Sequence, residues 1–160
     1  MARRSLLLGM TFAAAIVVGC GGGGGTTTAL SKSEYDAQLS AENQKVGQGT
    51  QTLRLALESP SRTAAEVASG LESFADVLQG VGNDVAALEP PANAQSANQL
   101  LAKGFHDEAT DTRQLADKAS AAKSGPEAMA LLNNAGTSAG GKEVDRAVKH
   151  LHALGYSGQG

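Results

Sequence analysis

Apolar residues recur at alternating steps of four and three along the middle of the chain, the spacing of one face of an α-helix. The run follows the capping sequence Thr63-Ala64-Ala65-Glu66 and lasts about six helical turns. Its members are Val67, Leu71, Phe74, Leu78, Val81, Val85 and Leu88. The pattern predicts an amphipathic helix whose apolar stripe faces the core, with Phe74 at its centre.

Weaker patterns of the same period predict a helix on each side of this one. Ser31-Lys32-Ser33-Glu34 is a capping box, and Leu39, Val46 and Leu53 follow at intervals of seven, which predicts a helix from Ser31 to about Leu57. After the turn at Pro90-Pro91, a further helix is predicted over about residues 93–122.

The sequence Ser124-Gly125-Pro126-Glu127 ends that helix and caps the next one. This last helix is weakest over residues 133–141, and Gly140-Gly141 is the point at which it could split. Four helices joined by short turns, with no strand-like alternation, predict an all-α, up-down antiparallel four-helix bundle over residues 31–156. Residues 157–160 are expected to form a frayed tail.

The first residues have the parts of a secretory signal: a positive start at Arg3-Arg4 and an apolar run from Leu6 to Val18. Val17, Val18 and Gly19 then precede Cys20, the sole cysteine. These four residues resemble the lipobox of bacterial lipoproteins, in which the bond before the cysteine is cut and the thiol is acylated. We therefore expect a signal peptide over 1–19, and a lipidated Cys20 with a flexible Gly/Thr linker over 20–30.

Two alternatives stay open for this segment, an uncleaved membrane anchor and an ordinary secreted protein. As a helix, Ser5 to Val18 would span roughly 21 Å, which is short for the roughly 30 Å hydrocarbon core of a bilayer. The expected location is the extracytoplasmic face of the cell membrane, with the membrane contacted through the lipid anchor.

The charge of the chain argues against a nucleic-acid partner, and its cysteine content excludes an internal disulfide. Without Arg3 and Arg4 the mature chain keeps 11 of the 13 basic residues against 16 acidic ones, a formal charge of −5. A nucleic-acid binder needs a basic surface, so no nucleic-acid partner is expected. Cys20 has no second cysteine with which to form a disulfide, so the fold must be stable without one.

The chain resembles a group of small actinobacterial lipoproteins of unknown function. The resemblance depends on the lipobox, on Leu30-Ser31-Lys32-Ser33-Glu34-Tyr35, on Leu88-Glu89-Pro90-Pro91 and on Leu154-Gly155-Tyr156. It implies membrane attachment and a helical body but no activity. Members of the group often have a pair of cysteines where this chain has Asn43 and Gln159.

No arrangement of residues in the sequence is typical of catalysis or of metal binding. The Glu-x-x-His pairs of di-iron bundles do not occur, and the polar residues around His106 are interpreted as a solvated face. We expect a protein that is not an enzyme and has no cofactor or metal. The favoured hypothesis is a non-catalytic helical interaction module with an envelope protein as partner. The alternative is a carrier that binds a small apolar ligand in a pocket lined by Phe74, Leu101 and Phe105.

Overall fold

The computed structural model describes residues 28–59 and 61–158, and five α-helices form the body of this part of the chain. The predicted all-α class is confirmed, with no strand in the described ranges. The helices are α1 (Lys32–Leu57), α2 (Ala64–Ala87), α3 (Gln95–Ser120), α4 (Gly125–Asn134) and α5 (Ala139–Ala153).

Side-chain caps fix where the first two helices begin, as the sequence predicted. Ser31 Oγ accepts from the Glu34 backbone N–H, and the Ser31 N–H donates to Glu34 Oε2 at 2.9 Å. Thr63 and Glu66 make the same reciprocal pair at the start of α2. These bonds favour the ionised carboxylates, so the pKa of Glu34 and the pKa of Glu66 both lie below the ordinary value.

The predicted fourth helix is two helices, and the break between them lies within residues 133–141, the stretch that the sequence marks as weakest. The break lies just before Gly140-Gly141, around Gly136, which has a φ of +63° that other residues rarely adopt. Ser138 then caps α5 by accepting from the Gly141 N–H at 2.9 Å. Gly140 and Gly141, the point at which the predicted fourth helix could split, therefore lie in the first turn of α5.

Consecutive long helices run antiparallel. Lys45 of α1 pairs with Asp84 near the end of α2, whereas Gly70 near the start of α2 faces Leu53. On α3, Arg113 pairs with Asp76, and the early residue Asn98 donates to the carbonyl of Val85. Between α3 and α5, Lys103 pairs with Glu143, and Tyr156 beyond α5 reaches Asn93 before α3.

Helices α3 and α5 approach each other so closely that glycine is required between them. A Cβ on Gly104 would lie 2.8 Å from the backbone N of Val144. A Cβ on Gly140 would lie 2.6 Å from the Cα of Glu108. Both distances are shorter than side chains tolerate, so the two glycines set the spacing of these helices.

Two hydrophobic clusters form the core, one toward each end of the bundle. The first joins α1, α2, α3 and α5, and its largest fully buried member is Tyr35. The second lies where α2, α3 and α4 meet, around Val67 and Leu71. Both clusters contain many alanines, and their small side chains allow helices to come close together.

Helices α1 and α5 lie farther apart than α1 and α2 or α3 and α5 do. The backbone of α1 lies close to α2, while it meets α5 only through side chains such as Tyr35, Leu39 and Leu151. This spacing leaves room for a cavity between the two helices.

Candidate functional site

The cavity between α1 and α5 has a volume of about 220 Å³. Its walls are mostly apolar side chains from four helices and from the segment after α5: Leu39, Val85, Leu101, Phe105, Val148, Leu151 and Tyr156. Polar groups from α1, α5 and the tail complete it: Glu42, Asn43, His152, Ser157 and Gly158. An apolar space with a few polar groups is the usual form of a small-molecule site.

Two of the three residues proposed from the sequence as a pocket, Leu101 and Phe105, lie together in this cavity. Leu101 is buried and Phe105 is partly buried. Phe74 lies elsewhere, in a wider groove between α1 and α2. The structure thus brings two of the three residues together and separates the third.

Phe74 is only partly buried and belongs to neither core cluster, although its neighbours in the heptad stripe are buried. Gly49 of α1 lies against it, since a Cβ on Gly49 would be 3.3 Å from the Phe74 ring. The groove has a volume of about 800 Å³, and Leu53, Val77 and several serines also line it.

Glu42 is the residue of the cavity that sequence reasoning missed. It is three residues after Leu39 and four before Val46, so it lies on the inward stripe of α1, and it is 7% exposed. Its Oε1 accepts from Lys45 Nζ at 2.8 Å, whereas its Oε2 is buried and has no hydrogen-bond partner among the described residues. A glutamate within an apolar stripe was the signal that could have found it.

Tyr156, which lines the cavity, packs against the buried Tyr35. The rings of Tyr35 and Tyr156 meet edge to face, with centroids 5.3 Å apart. The Tyr35 hydroxyl donates to Asn98 Oδ1 at 2.9 Å, and the Tyr156 hydroxyl donates to Asn93 Oδ1 at 3.0 Å. Burial, with Tyr156 beside it, raises the pKa of Tyr35 well above its ordinary value, so this hydroxyl remains a donor.

The C-terminal segment is held against α1 by Asp36. The backbone N–H groups of Ser157 and Gly158 each donate to Asp36 Oδ1 at 2.8 Å. These bonds, that from Gly158 first, lower the pKa of Asp36 below its ordinary value. The first two residues of the predicted frayed tail are therefore docked at the cavity, and residues 159–160 lie outside the described part.

Three of the four stretches that carried the family resemblance meet at this end of the bundle, and the fourth, the lipobox, lies outside the described residues. The Leu30 N–H donates to the carbonyl of Glu89 at 2.8 Å, and Pro90 is buried. Lys32 Nζ lies 5.2 Å from the ring centre of Tyr156. These short motifs thus have a shared structural role, because they join the start of α1, the α2–α3 turn and the end of α5.

The acidic residues near His106 serve the packing of α5. Glu108 accepts from the hydroxyl of Ser138, and Asp111 accepts from the Gly140 N–H. Asp107 pairs with Lys103, which lowers the pKa of Asp107 and raises that of Lys103. Within residues 28–59 and 61–158, no three His, Cys, Asp or Glu side chains form a group that could hold a metal ion.

The proposed lipidation site lies outside the described residues, as do Val17, Val18 and Gly19. Among the helices that are described, none is both long enough and apolar enough to span a bilayer.

Comparison with protein-family models, with curated proteins and with solved structures found no match for this chain in any of the three.

Proposed function

We propose that the chain is an extracytoplasmic lipoprotein, anchored to the cell membrane at Cys20, whose helical body binds a small ligand without catalysis. The anchor is supported by the order of features in the first 25 residues: a positive start, an apolar run, a small residue before the cysteine and a glycine spacer. The helical body is proposed to be an up-down four-helix bundle of α1, α2, α3 and α5, with α4 as an addition.

The cavity between α1 and α5 is the observation that carries the binding function. An engineered apolar cavity of about 150 Å³ takes up benzene, so a space of about 220 Å³ is large enough for a single ring with a short substituent. A carrier fits this geometry better than an interaction module does, because apolar side chains from four helices converge on the space.

The test is native mass spectrometry of the full-length protein extracted in detergent. If the body is a carrier, protein taken from cells should show the added mass of a non-covalent ligand. A smaller fraction of the Val148→Trp molecules should carry that ligand. Val148 lies at the cavity, is 36% exposed, and can be enlarged without overpacking the core. Leu55→Trp is the matched control, since Leu55 is 56% exposed and lies outside the cavity. Wild-type protein that never carries added mass, even after incubation with small aromatic compounds, would refute the carrier.

The groove between α1 and α2 supports a second candidate, an interaction module for an envelope protein. Its support is Phe74, a large apolar side chain that is partly exposed beside an open groove. A photo-crosslinking residue at Ser73, in the groove, should give one specific product in cells that Phe74→Ala abolishes. The same residue at Ser96, exposed on α3, should give no such product. Equal products from both positions would contradict the module.

A further inference from the structure

Glu42 presents a buried carboxylate oxygen that has no hydrogen-bond donor. Its side chain is 8% exposed, and Oε2 has no partner in the described part of the chain. Buried polar atoms in folded proteins are nearly always paired, because an unpaired acceptor loses its bonds to water without replacement. Oε2 can therefore accept a hydrogen bond from a donor outside the described chain.

Lys45, the neighbouring cation, does not donate to Glu42 Oε2. Lys45 Nζ lies 2.8 Å from the other oxygen of Glu42 and 2.7 Å from Asp84 Oδ2, on the outer side of the helix pair. The two carboxylates, Asp84 first, raise the pKa of Lys45. Lys45 thus fixes the carboxylate of Glu42 in place and leaves Oε2 to another group.

Glu42 lines the cavity between α1 and α5, so a ligand there would lie next to it. The surrounding walls, including Leu39, Leu101 and Phe105, are apolar. A purely apolar ligand would leave Oε2 unpaired, and an anion would be repelled by the carboxylate. A metal ion would need several ligands, and the described residues hold no group of three.

We infer that the cavity binds a small organic cation, in which an apolar body of about one ring carries a protonated amine, and that the wall covering Glu42 Oε2 opens so that the amine donates to it. This inference rests on the proposed function, since it assumes that the cavity takes up a ligand, and it adds the ligand's chemical class. Apolar walls bury the ring, and the charged pair gives the selectivity.

The experiment compares three probes of similar size: benzylamine, benzyl alcohol and toluene. The full-length protein in lipid nanodiscs is titrated at neutral pH, and methyl NMR shifts of Leu101 report binding, with Leu132 of the other core cluster as an internal reference. Observing the protein's own methyl groups separates binding in the cavity from uptake by the lipid. Benzylamine should bind roughly tenfold to a hundredfold more tightly than benzyl alcohol, the ratio expected for a charge-assisted hydrogen bond.

Glu42→Gln keeps the shape of the side chain and removes its charge, so it should reduce this ratio to about one. Glu72→Gln, an exposed change of the same kind on α2, should leave the ratio unchanged. Equal affinities of the wild type for benzylamine and toluene would overturn the inference. An affinity ratio of benzylamine to benzyl alcohol that Glu42→Gln does not alter would also overturn it. Neither result would contradict the carrier function. If no probe moves Leu101, the carrier function itself fails. If Glu42→Gln does not fold, the ratio of the wild-type affinities for benzylamine and benzyl alcohol still tests the inference.

Discussion

Adding one methyl group at Gly104 tests the close approach of α3 and α5. In Gly104→Ala the new Cβ would lie 2.8 Å from the backbone N of Val144 and 2.9 Å from its Cγ2. Backbone atoms cannot rotate away, so α5 must shift outward, and overpacking of this kind typically costs about 1–3 kcal/mol. Against this, alanine favours a helix interior over glycine by about 1 kcal/mol.

Gly47→Ala is the matched control, because Gly47 is in the middle of α1 and a Cβ added there would meet no neighbouring atom within 4 Å. The helix-propensity gain is common to both variants and cancels in their comparison. Gly104→Ala should therefore be less stable than Gly47→Ala by about 1–3 kcal/mol, the cost of the clash alone. Gly47→Ala itself should be more stable than wild type by up to about 1 kcal/mol.

The measurement is urea unfolding of the purified full-length protein, followed by circular dichroism at 222 nm, with thermal melting as a second readout. Each kcal/mol corresponds to roughly 4 °C in Tm for a domain of this size. Equal stabilities of the two alanine variants would refute the close packing at Gly104. A difference of the expected size would support it.

Three further predictions concern the tyrosine end, the tail and the anchor. Tyr35→Phe leaves Asn98 Oδ1 buried without its donor and should lower the free energy of unfolding by about 1–3 kcal/mol; an unchanged urea midpoint would contradict that bond. The Gly158 N–H is the main cause that lowers the pKa of Asp36 below its ordinary value of 3.8. The stabilisation that Asp36 gives to the folded state is therefore complete above pH 3.8 and is lost as the pH falls through the lower, folded pKa. The amide shift of Gly158 should follow that titration, and Asp36→Asn should remove the pH dependence; a Gly158 shift that stays constant down to pH 2 would count against the docking. Intact mass of the protein from cells should correspond to a chain that begins at Cys20 and carries acyl groups, and Cys20→Ala should lack them; a soluble, unacylated wild type would exclude the lipoprotein.

Local signals in the sequence were sufficient to place the first two helix starts. Ser31 and Thr63 are each followed three residues later by a glutamate, and this spacing satisfies backbone donors without help from the rest of the fold. The inward stripe of α2 was also readable, since Leu71, Leu78 and Val85 are buried as its period implies.

Features that depend on neighbouring helices could not be read in the same way. A heptad stripe shows which face turns inward but not how far another helix covers it, so Phe74 was expected at the core and lies at the edge of a groove. Gly140 weakens an isolated helix, yet it lies inside α5 because the approach of α3 leaves no room for a side chain there, and the break lies at Gly136. The burial of Glu42 depends in the same way on the elements that surround α1.

The bond between Leu30 and Glu89 fixes the end of the bundle from which a tether to Cys20 would leave. Leu30 is ten residues after Cys20, so the tether reaches at most roughly 35 Å, and it leaves the body at the same end as Tyr156 and Ser157. If Cys20 is acylated as proposed, this end of the body is the one tethered to the bilayer, and the α3–α4 turn lies at the opposite end. A reporter protein fused after Gly160 would then be attached at the tethered end, whereas one inserted at Lys123 would be attached at the far end.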